Sequence, residues 1–329
     1  MDEQLLVVNA DEQRRLIDMK EVIDHVGVAL REFSAGRTIT PIRTSLAFGQ
    51  SQNTALVMPS IAEELKGLGL KVVNVVPGNH KVGKKTINGV VMLFDFDTGE
   101  PMALLEGSYL TKIRTGALSG VATKYLSRQD SKILCLIGTG EQATGLLEAV
   151  LAVRDIEKDI LYNRTEQKAH EFANYISERF SNEVLVYKDA NMAVREADIM
   201  ITATNSASPV FLEPLRPGVH INAVGSFRPE MQELPSYAIA SSDKVVVESR
   251  EAALEETGDL KIPILEGGFS SDRIYAELGE IVSGEKTGRE NDDEITVFKS
   301  VGLAVVDIIV AKYVYEKALK NKAGISIQL

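Results

Sequence analysis

The segment "LCLIGTGEQATGLLEAV", residues 134–150, has the pattern of a buried strand, a tight turn and a helix. Gly138 permits the tight turn, Gly140 allows the backbone to approach a pyrophosphate, and the small Ala143 allows the helix to pack closely on the strand. A pyrophosphate would meet backbone N–H groups at the helix N-terminus, where the helix dipole favours anions. The motif is also compatible with a plain strand–helix turn, but its position in a βαβ unit predicts dinucleotide binding.

Strands and helices alternate along the chain around and after this turn. Short apolar runs predict strands, and residues 142–155 and 166–180 predict helices. This alternation indicates a parallel sheet with helices on both faces, which is the architecture of a Rossmann domain. The predicted strands are "KILCLIG", "DILYN", "VLVYK", "DIMITAT", "HINAVG" and "DKVVVES".

More than 130 residues precede the glycine turn, and their pattern is different. Polar turns separate apolar runs, which predicts a strand-rich region with meander connections. Residues 86–107 predict a hairpin, and residues 18–36, 107–127 and 302–323 predict helices. The last of these helices ends in lysines, which suit a helix C-terminus, and it is free to return to the first domain. The other predicted strands are "PIRTSLAF", "TALVMPS" and "LGLKVVNVVP".

The end of the second Rossmann strand indicates which cofactor is preferred. An acidic residue there would bind the ribose 2′-hydroxyl of NAD, whereas arginine with small polar groups accepts a 2′-phosphate. The sequence reads Tyr162-Asn163-Arg164-Thr165, with no acid. In one alternative, Asn163 and Thr165 only cap the next helix. The pattern favours NADP(H) and leaves NAD(H) possible.

The composition limits the classes of function. The chain has 329 residues, 44% hydrophobic and 25% charged, which suggests two globular domains. A formal net charge of −11 predicts no nucleic-acid partner, and no apolar run is long enough to predict a membrane span. The acidic N-terminus lacks a secretion signal and Cys135 is the only cysteine, so we expect a cytoplasmic protein without disulfides. Four histidines without metal-ligand spacing predict no structural metal: His25, His80, His170 and His220.

Several motifs in the same order resemble the ornithine cyclodeaminase/mu-crystallin family. The resemblance covers nearly the whole chain and implies a Rossmann domain inserted in a strand-rich α+β domain for substrate binding and dimerisation. It places the boundaries at residues 1–122 plus 303–329 for the first domain and 123–302 for the Rossmann domain, and it implies a homodimer. The motifs are "LLEGSYLTKIRTGALSGVATKYLS", "IGTGEQA", "VGSFRPEMQEL", "ETGDLKIPI" and "FKSVGLAVVDI".

The family resemblance also implies a substrate site for a small amino-acid-derived molecule. Its members transfer hydride at a carbon that bears nitrogen and a carboxylate, and Arg43, Lys71 and Arg114 match the positions that bind the carboxylate. An arginine fork suits a carboxylate, and a lysine beside two cations has a lowered pKa and can move a proton. Met58 would line the same pocket. Without the resemblance, the three cations would be ordinary surface charges, and Met58 remains equally compatible with plain core packing.

The implied cofactor site combines the glycine turn with later strand ends. Thr115 and the "GTGEQA" turn would hold the pyrophosphate, and the nicotinamide would lie against Val224, Gly225 and the "FKSVG" segment. The full set of expected cofactor contacts is Thr115, Gly138, Thr139, Gly140, Glu141, Gln142, Asn163, Arg164, Thr165, Thr202, Ala203, Thr204, Val224, Gly225, Ser226, Lys299 and Gly302.

Two departures from the cyclodeaminase pattern indicate the reaction. Cyclodeaminases carry an aspartate at the position of Phe227 and a glutamate at the position of Leu56. The sequence therefore predicts a reductase of Δ1-pyrroline-2-carboxylate or Δ1-piperideine-2-carboxylate, with Lys71 and Arg114 as catalytic residues and Phe227 beside the substrate ring. The alternatives are an ornithine cyclodeaminase, an alanine-type amino-acid dehydrogenase, or a non-catalytic binder of a small ligand.

Overall fold

The structure is a computed structural model that describes residues 4–49 and 53–328. It divides into two compact units, one formed by the chain up to Arg114 together with the part from Leu303, the other by Thr115–Gly302. The family resemblance implied a boundary after residue 122, and both that position and Arg114 lie within one continuous helix. No linker composition marks such a boundary, since a helix is uninterrupted there.

The strands and helices are numbered in chain order. Before the Rossmann strands they are β1 (Gln4–Val8), α1 (Ala10–Leu16), α2 (Met19–Ser34), β2 (Thr38–Ile39), β3 (Thr44–Phe48), β4 (Asn53–Ala62), β5 (Gly67–Val75), β6 (Ile87–Phe94), β7 (Pro101–Glu106) and α3 (Gly107–Leu126). The second unit continues with β8 (Ile133–Ile137), α4 (Ala143–Val153), β9 (Lys158–Tyr162), α5 (Glu166–Ser177), β10 (Glu183–Val186), α6 (Ala190–Glu196), β11 (Ile199–Thr202), β12 (His220–Ala223), α7 (Ser236–Ala240), β13 (Lys244–Val247), α8 (Arg250–Glu256), α9 (Gly258–Leu265), β14 (Ile274–Glu277), α10 (Leu278–Val282) and β15 (Thr296–Lys299). The C-terminal elements are α11 (Ala304–Asn321) and β16 (Ile325–Gln328).

The first unit contains a mixed sheet built on the predicted meander. Strands β4, β5, β6 and β7 pair antiparallel with their chain neighbours. Strand β1 then pairs parallel with β7, and β16 pairs antiparallel with β1. The sequence did not predict β1 or β16.

Helix α11 packs on the sheet of the first unit against β4, β5 and β6, as its predicted return implied. Two glycines of β5 allow the helix to approach. A Cβ atom at Gly69 would lie 2.5 Å from Met92 O and 2.8 Å from Ile308 Cδ1, and one at Gly67 would lie 2.8 Å from Ile309 Cδ1. This close approach brings Asp307, the residue before Ile308, to the strand that carries Lys71.

The second unit contains a parallel sheet in the order β10-β9-β8-β11-β12-β15-β13-β14. Successive residues of β8 face two different apolar clusters, because side chains alternate across a strand. Leu134 and Leu136 join one cluster with residues of α4 and α5, and Cys135 and Ile137 join the other. Both faces are thus covered, as the strand–helix alternation predicted. The carboxyl ends of β8, β11, β12 and β15 meet at one edge of the sheet.

Among the described helices, none combines the length and hydropathy needed to cross a membrane.

Candidate functional site

A buried charge cluster joins three elements of the first unit. Lys71 of β5 is 2% exposed, Arg114 of α3 is 7% exposed, and Asp307 of α11 is fully buried. Lys71 Nζ donates to Asp307 Oδ1 at 2.9 Å, and Arg114 Nε donates to the same oxygen at 3.0 Å. Among the described residues no hydrogen bond uses the Nη atoms of Arg114, so its fork is available to a ligand. Two cations and one carboxylate leave this buried cluster with a net positive charge, and an arginine fork is able to pair with a carboxylate.

The electrostatics of the cluster favour proton transfer by Lys71. Burial lowers the pKa of Lys71 to about 8; the Asp307 carboxylate opposes this, while Arg114 and Arg43 contribute to the lowering. Burial raises the pKa of Asp307, but Arg114 and Lys71 outweigh it and the net direction is down. Asp307 is therefore ionised at neutral pH, and Lys71 is poised near the range in which it releases a proton.

Asp307 is a member of this buried cluster that the sequence interpretation did not identify. It is the single acid in the apolar run "VGLAVVDIIVA", residues 301–311. An acid among apolar residues of a buried helix needs a cationic partner, and that signal was present in the sequence. The partners themselves are not visible there, since Lys71 is 236 positions away.

The other predicted substrate residues of the first unit lie around this cluster. Met58 is 3% exposed and is paired with Lys71 across β4 and β5. It packs with Val73 and Ala304, and Leu56 lies against the same apolar cluster. Arg43 is half-buried just before β3, and its charge acts on Lys71. The structure thus places Met58 beside Lys71 as well as in the core, and its contact with a substrate stays a prediction.

The glycine turn of the second unit has the backbone that the motif predicted. Gly138 has a φ of +101°, and a Cβ atom there would lie 2.6 Å from Ala203 O, so only glycine fits. A Cβ atom at Gly140 would meet no described atom within 4 Å. The glycine therefore leaves open space above the turn, where a phosphate can approach. Ala143 is fully buried at the start of α4.

Polar groups at this turn fit a pyrophosphate. In the described part of the chain, no side chain caps the N-terminus of α4. The buried Thr139 Oγ1 and Gln142 Oε1 have no hydrogen-bond partner there either. Helix α3 crosses α4 closely, because a Cβ atom at Gly116 would lie 2.1 Å from Gly145 O. Thr115 is therefore adjacent to the first turn of α4, while Glu141 is exposed.

The predicted 2′-phosphate site is a solvent-exposed loop after β9. Asn163 Oδ1 accepts from Thr139 N at 3.2 Å, and its Nδ2 donates to Thr165 O at 2.9 Å. The side chain of Thr165, the N-cap of α5, makes no cap hydrogen bond in the described structure. Helix capping by Asn163 and Thr165 is therefore not what the structure contains. Arg164 is exposed, and no ion pair with another described residue involves it.

Three expected cofactor contacts have side chains that are engaged inside the protein. Thr202 Oγ1 donates to Glu233 at 3.0 Å, and Ser226 Oγ donates to Met231 O at 2.7 Å. Lys299 is fully buried, with its Nζ 3.0 Å from Asp259 Oδ2. The partners of Thr202 and Lys299 are distant acids and that of Ser226 is a backbone carbonyl, while contact of these three residues with a cofactor stays a prediction.

The remaining predicted residues line the same edge of the sheet. Ala203, Thr204, Val224 and Gly225 are half-buried, whereas Gly302 is buried with a φ of +94°. Phe227, also half-buried, follows β12, and the guanidinium carbon of Arg228 lies 5.5 Å from its ring centroid.

In residues 4–49 and 53–328, no three His, Cys, Asp or Glu side chains are placed to hold a metal ion. The side chain of His80 lies outside the described part of the structure.

Comparisons with known proteins cover almost the whole chain. The sequence model of the ornithine cyclodeaminase/mu-crystallin family matches residues 3–322. A Delta(1)-pyrroline-2-carboxylate reductase of Bacillus cereus is 68% identical over 98% of this chain and 100% of its own. The structure of the Thermococcus litoralis Delta(1)-pyrroline-2-carboxylate reductase with NADH and L-proline has a TM-score of 0.94 at 43% identity, over 98% of this chain and 100% of that one. An archaeal alanine dehydrogenase dimer with bound NAD has a TM-score of 0.92 at 35% identity, over 99% of both chains.

Proposed function

Because the chain belongs to the ornithine cyclodeaminase/mu-crystallin family, we propose that it is an NAD(P)H-dependent reductase of a small cyclic ketimine carboxylate. Δ1-Pyrroline-2-carboxylate is the favoured substrate, since the Bacillus cereus relative is a reductase of that imine. Proline is then the product. The observation that supports this reaction most directly is the buried cluster in which Asp307 orients Lys71 and Arg114.

The residues divide the chemistry between the two units. In the first unit, the Nη atoms of Arg114 and the charge of Arg43 hold the substrate carboxylate. Lys71, with its pKa lowered to about 8, donates a proton to the imine nitrogen. In the second unit, the glycine turn and α4 hold the dinucleotide, which supplies the hydride for the imine carbon when bound. One hydride and one proton convert the C=N bond to an amine.

We expect NADPH oxidation when Δ1-pyrroline-2-carboxylate is added, and kcat/KM should fall as the pH rises through about 8, where Lys71 loses its proton. The absorbance of NADPH, followed at varied pH, measures both its oxidation and the pH dependence of kcat/KM. Asp307→Asn removes the anion that holds the proton on Lys71, so the fall should move to lower pH.

Protonation of the free imine affects the assays of the unaltered protein and of Asp307→Asn equally. A difference between their two pH profiles therefore arises from the protein. An unchanged pH profile in Asp307→Asn would exclude Lys71 as the proton donor. Turnover itself excludes a non-catalytic binder, and a six-membered imine in the same assay measures ring-size preference.

NADPH should bind more tightly than NADH, because Arg164 is exposed and the Thr165 hydroxyl makes no cap hydrogen bond to α5, so both are available to a 2′-phosphate. Loss of a hydrogen-bonded charge pair costs about 1.5 kcal/mol or more, so Arg164→Ala should weaken NADPH binding about tenfold. Fluorescence titration of both nucleotides measures this. NADH affinity is the internal control and should stay within about twofold, while tighter binding of NADH by the unaltered protein would contradict the phosphate site.

The protein should form a homodimer through the first unit. Leu46, Phe48 and Val90 lie on the sheet face opposite Lys71 and are 53%, 43% and 43% exposed. An apolar sheet face of this kind needs a partner, and the archaeal relative is a dimer. Light scattering should give about twice the chain mass of 35.9 kDa. A particle of one chain mass at micromolar concentration would refute the dimer, and Leu46→Lys should shift a true dimer toward monomer.

A further inference from the structure

A buried glutamate joins the two loops that follow β11 and β12. Glu233 is fully buried. Its Oε1 accepts from the backbone N–H of Thr204 at 2.6 Å. Its Oε2 accepts from Thr202 Oγ1 at 3.0 Å, from Gly225 N at 2.7 Å and from Ser226 N at 3.1 Å. Four donors, from the last residue of β11 and from the two loops, thus converge on one carboxylate.

The two loops touch each other at this carboxylate, with no room for a side chain between them. A Cβ atom at Gly225 would lie 2.4 Å from both the N and the O of Thr204, and 2.5 Å from Glu233 Oε1. The shape of each loop therefore depends on the other. The sheet does not hold this contact, since β11 ends at Thr202 and β12 ends at Ala223.

A second acid and a lysine hold Glu233 in place. Asp259 Oδ1 accepts from Glu233 N at 2.6 Å and from Leu234 N at 3.0 Å. Lys299 Nζ lies 3.0 Å from the other oxygen of Asp259 and places a positive charge beside the buried carboxylates. Burial, followed by the charge of Asp259, raises the pKa of Glu233, and Lys299 and the donated hydrogen bonds oppose that rise only in part. Four converging donors suit the ionised carboxylate, which only accepts hydrogen bonds.

The loop after the neighbouring strand β15 is held in the same way. Glu248 is fully buried, and its Oε1 accepts from Val301 N at 2.6 Å and from Gly302 N at 2.6 Å. Ser300 Oγ donates to the same oxygen at 3.1 Å. Three adjacent strand ends are therefore fixed by buried carboxylates from other segments of the second unit.

We infer that Glu233 is a positioning residue that shapes the part of the second unit where the nicotinamide binds, without touching the cofactor. This rests on the proposed function. In the order of strands across the sheet, β9 and β8 lie next to each other, followed by β11, β12 and β15. The Arg164 loop and the glycine turn therefore lie at one end of this series, and the loops held by Glu233 and Glu248 lie at the other. A dinucleotide extends across the carboxyl edge of such a sheet, so the adenosine half belongs with β8 and β9 and the nicotinamide half with β11, β12 and β15.

The test compares an intact cofactor with the same nucleotide lacking nicotinamide. Glu233→Gln replaces a carboxylate oxygen by an NH2 group that faces N–H donors, so the loops must separate. NADPH binding should weaken about tenfold or more, while binding of 2′-phospho-ADP-ribose should stay within about twofold. Calorimetry measures both ligands without turnover. If the unaltered protein favours NADH, then NADH and ADP-ribose take their place.

Controls separate a local effect from a general one. Glu230→Gln changes an exposed acid three residues earlier and should alter neither affinity. Thr202→Val removes one donor to Glu233 and should cause a smaller loss in the same direction, and it carries the test if Glu233→Gln does not fold. Equal weakening of both ligands, or of neither, would overturn the positioning role. Failure of the unaltered protein to bind any of these nucleotides would instead overturn the proposed function.

Discussion

Ornithine supplied with NAD+ should give neither ammonia nor proline at a useful rate, whereas Δ1-pyrroline-2-carboxylate supplied with NADPH should be reduced to proline. Cyclodeamination needs a base near the α-amine and a group that orients the δ-amine. The corresponding positions are Phe227, which lies beside Arg228, and Leu56, which packs on the cluster around Met58. Neither side chain accepts a proton or binds an amine.

Positioned acid–base catalysis contributes about a hundredfold or more, so the two reactions should differ in rate by at least that factor. Amino-acid analysis with an ammonia assay measures both from one preparation, and reduction of the imine is the positive control. Efficient release of ammonia from ornithine, with little imine reduction, would restore the cyclodeaminase interpretation.

Arg114→Ala should lower kcat/KM for the imine about 10- to 150-fold. The substitution removes the fork that binds the carboxylate, which costs about 1.5–3 kcal/mol. It also takes one of two cationic partners from the fully buried Asp307, and breaking a buried pair costs about 3–5 kcal/mol of stability. Steady-state kinetics and thermal melting separate the two losses.

Two variants control this experiment. Arg114→Lys keeps a charge near Asp307 but lacks the planar fork, so it should recover stability more than it recovers kcat/KM. Arg15→Ala changes an exposed arginine of α1 and should leave both unaltered. An Arg114→Ala enzyme with unchanged KM and kcat would show that the substrate carboxylate binds elsewhere.

The pattern of residues along the chain determined the elements and the chemistry class. Alternation of apolar runs predicted strands β8 to β13, and the structure contains them within a few residues of the predicted ends. The glycine turn needed only local information, because a φ of +101° at Gly138 is a property of one position. Compared with the cyclodeaminase pattern of the family that the chain resembles, Phe227 and Leu56 likewise indicated a reductase without any coordinates.

Which polar side chains are engaged within the protein became visible only in the tertiary structure. Thr202, Ser226 and Lys299 were expected to contact the cofactor, and their side chains also bind Glu233, Thr257 and Asp259, which lie at least 31 positions away in the chain. Asp307 and Glu233 were not identified as functional. A buried acid is stable only where cations or N–H groups surround it, and those groups come from strands and loops that folding brings together. The local sequence around a buried acid does not show which distant residues will surround it. Lys71 and Asp307, for example, are 236 positions apart in the chain.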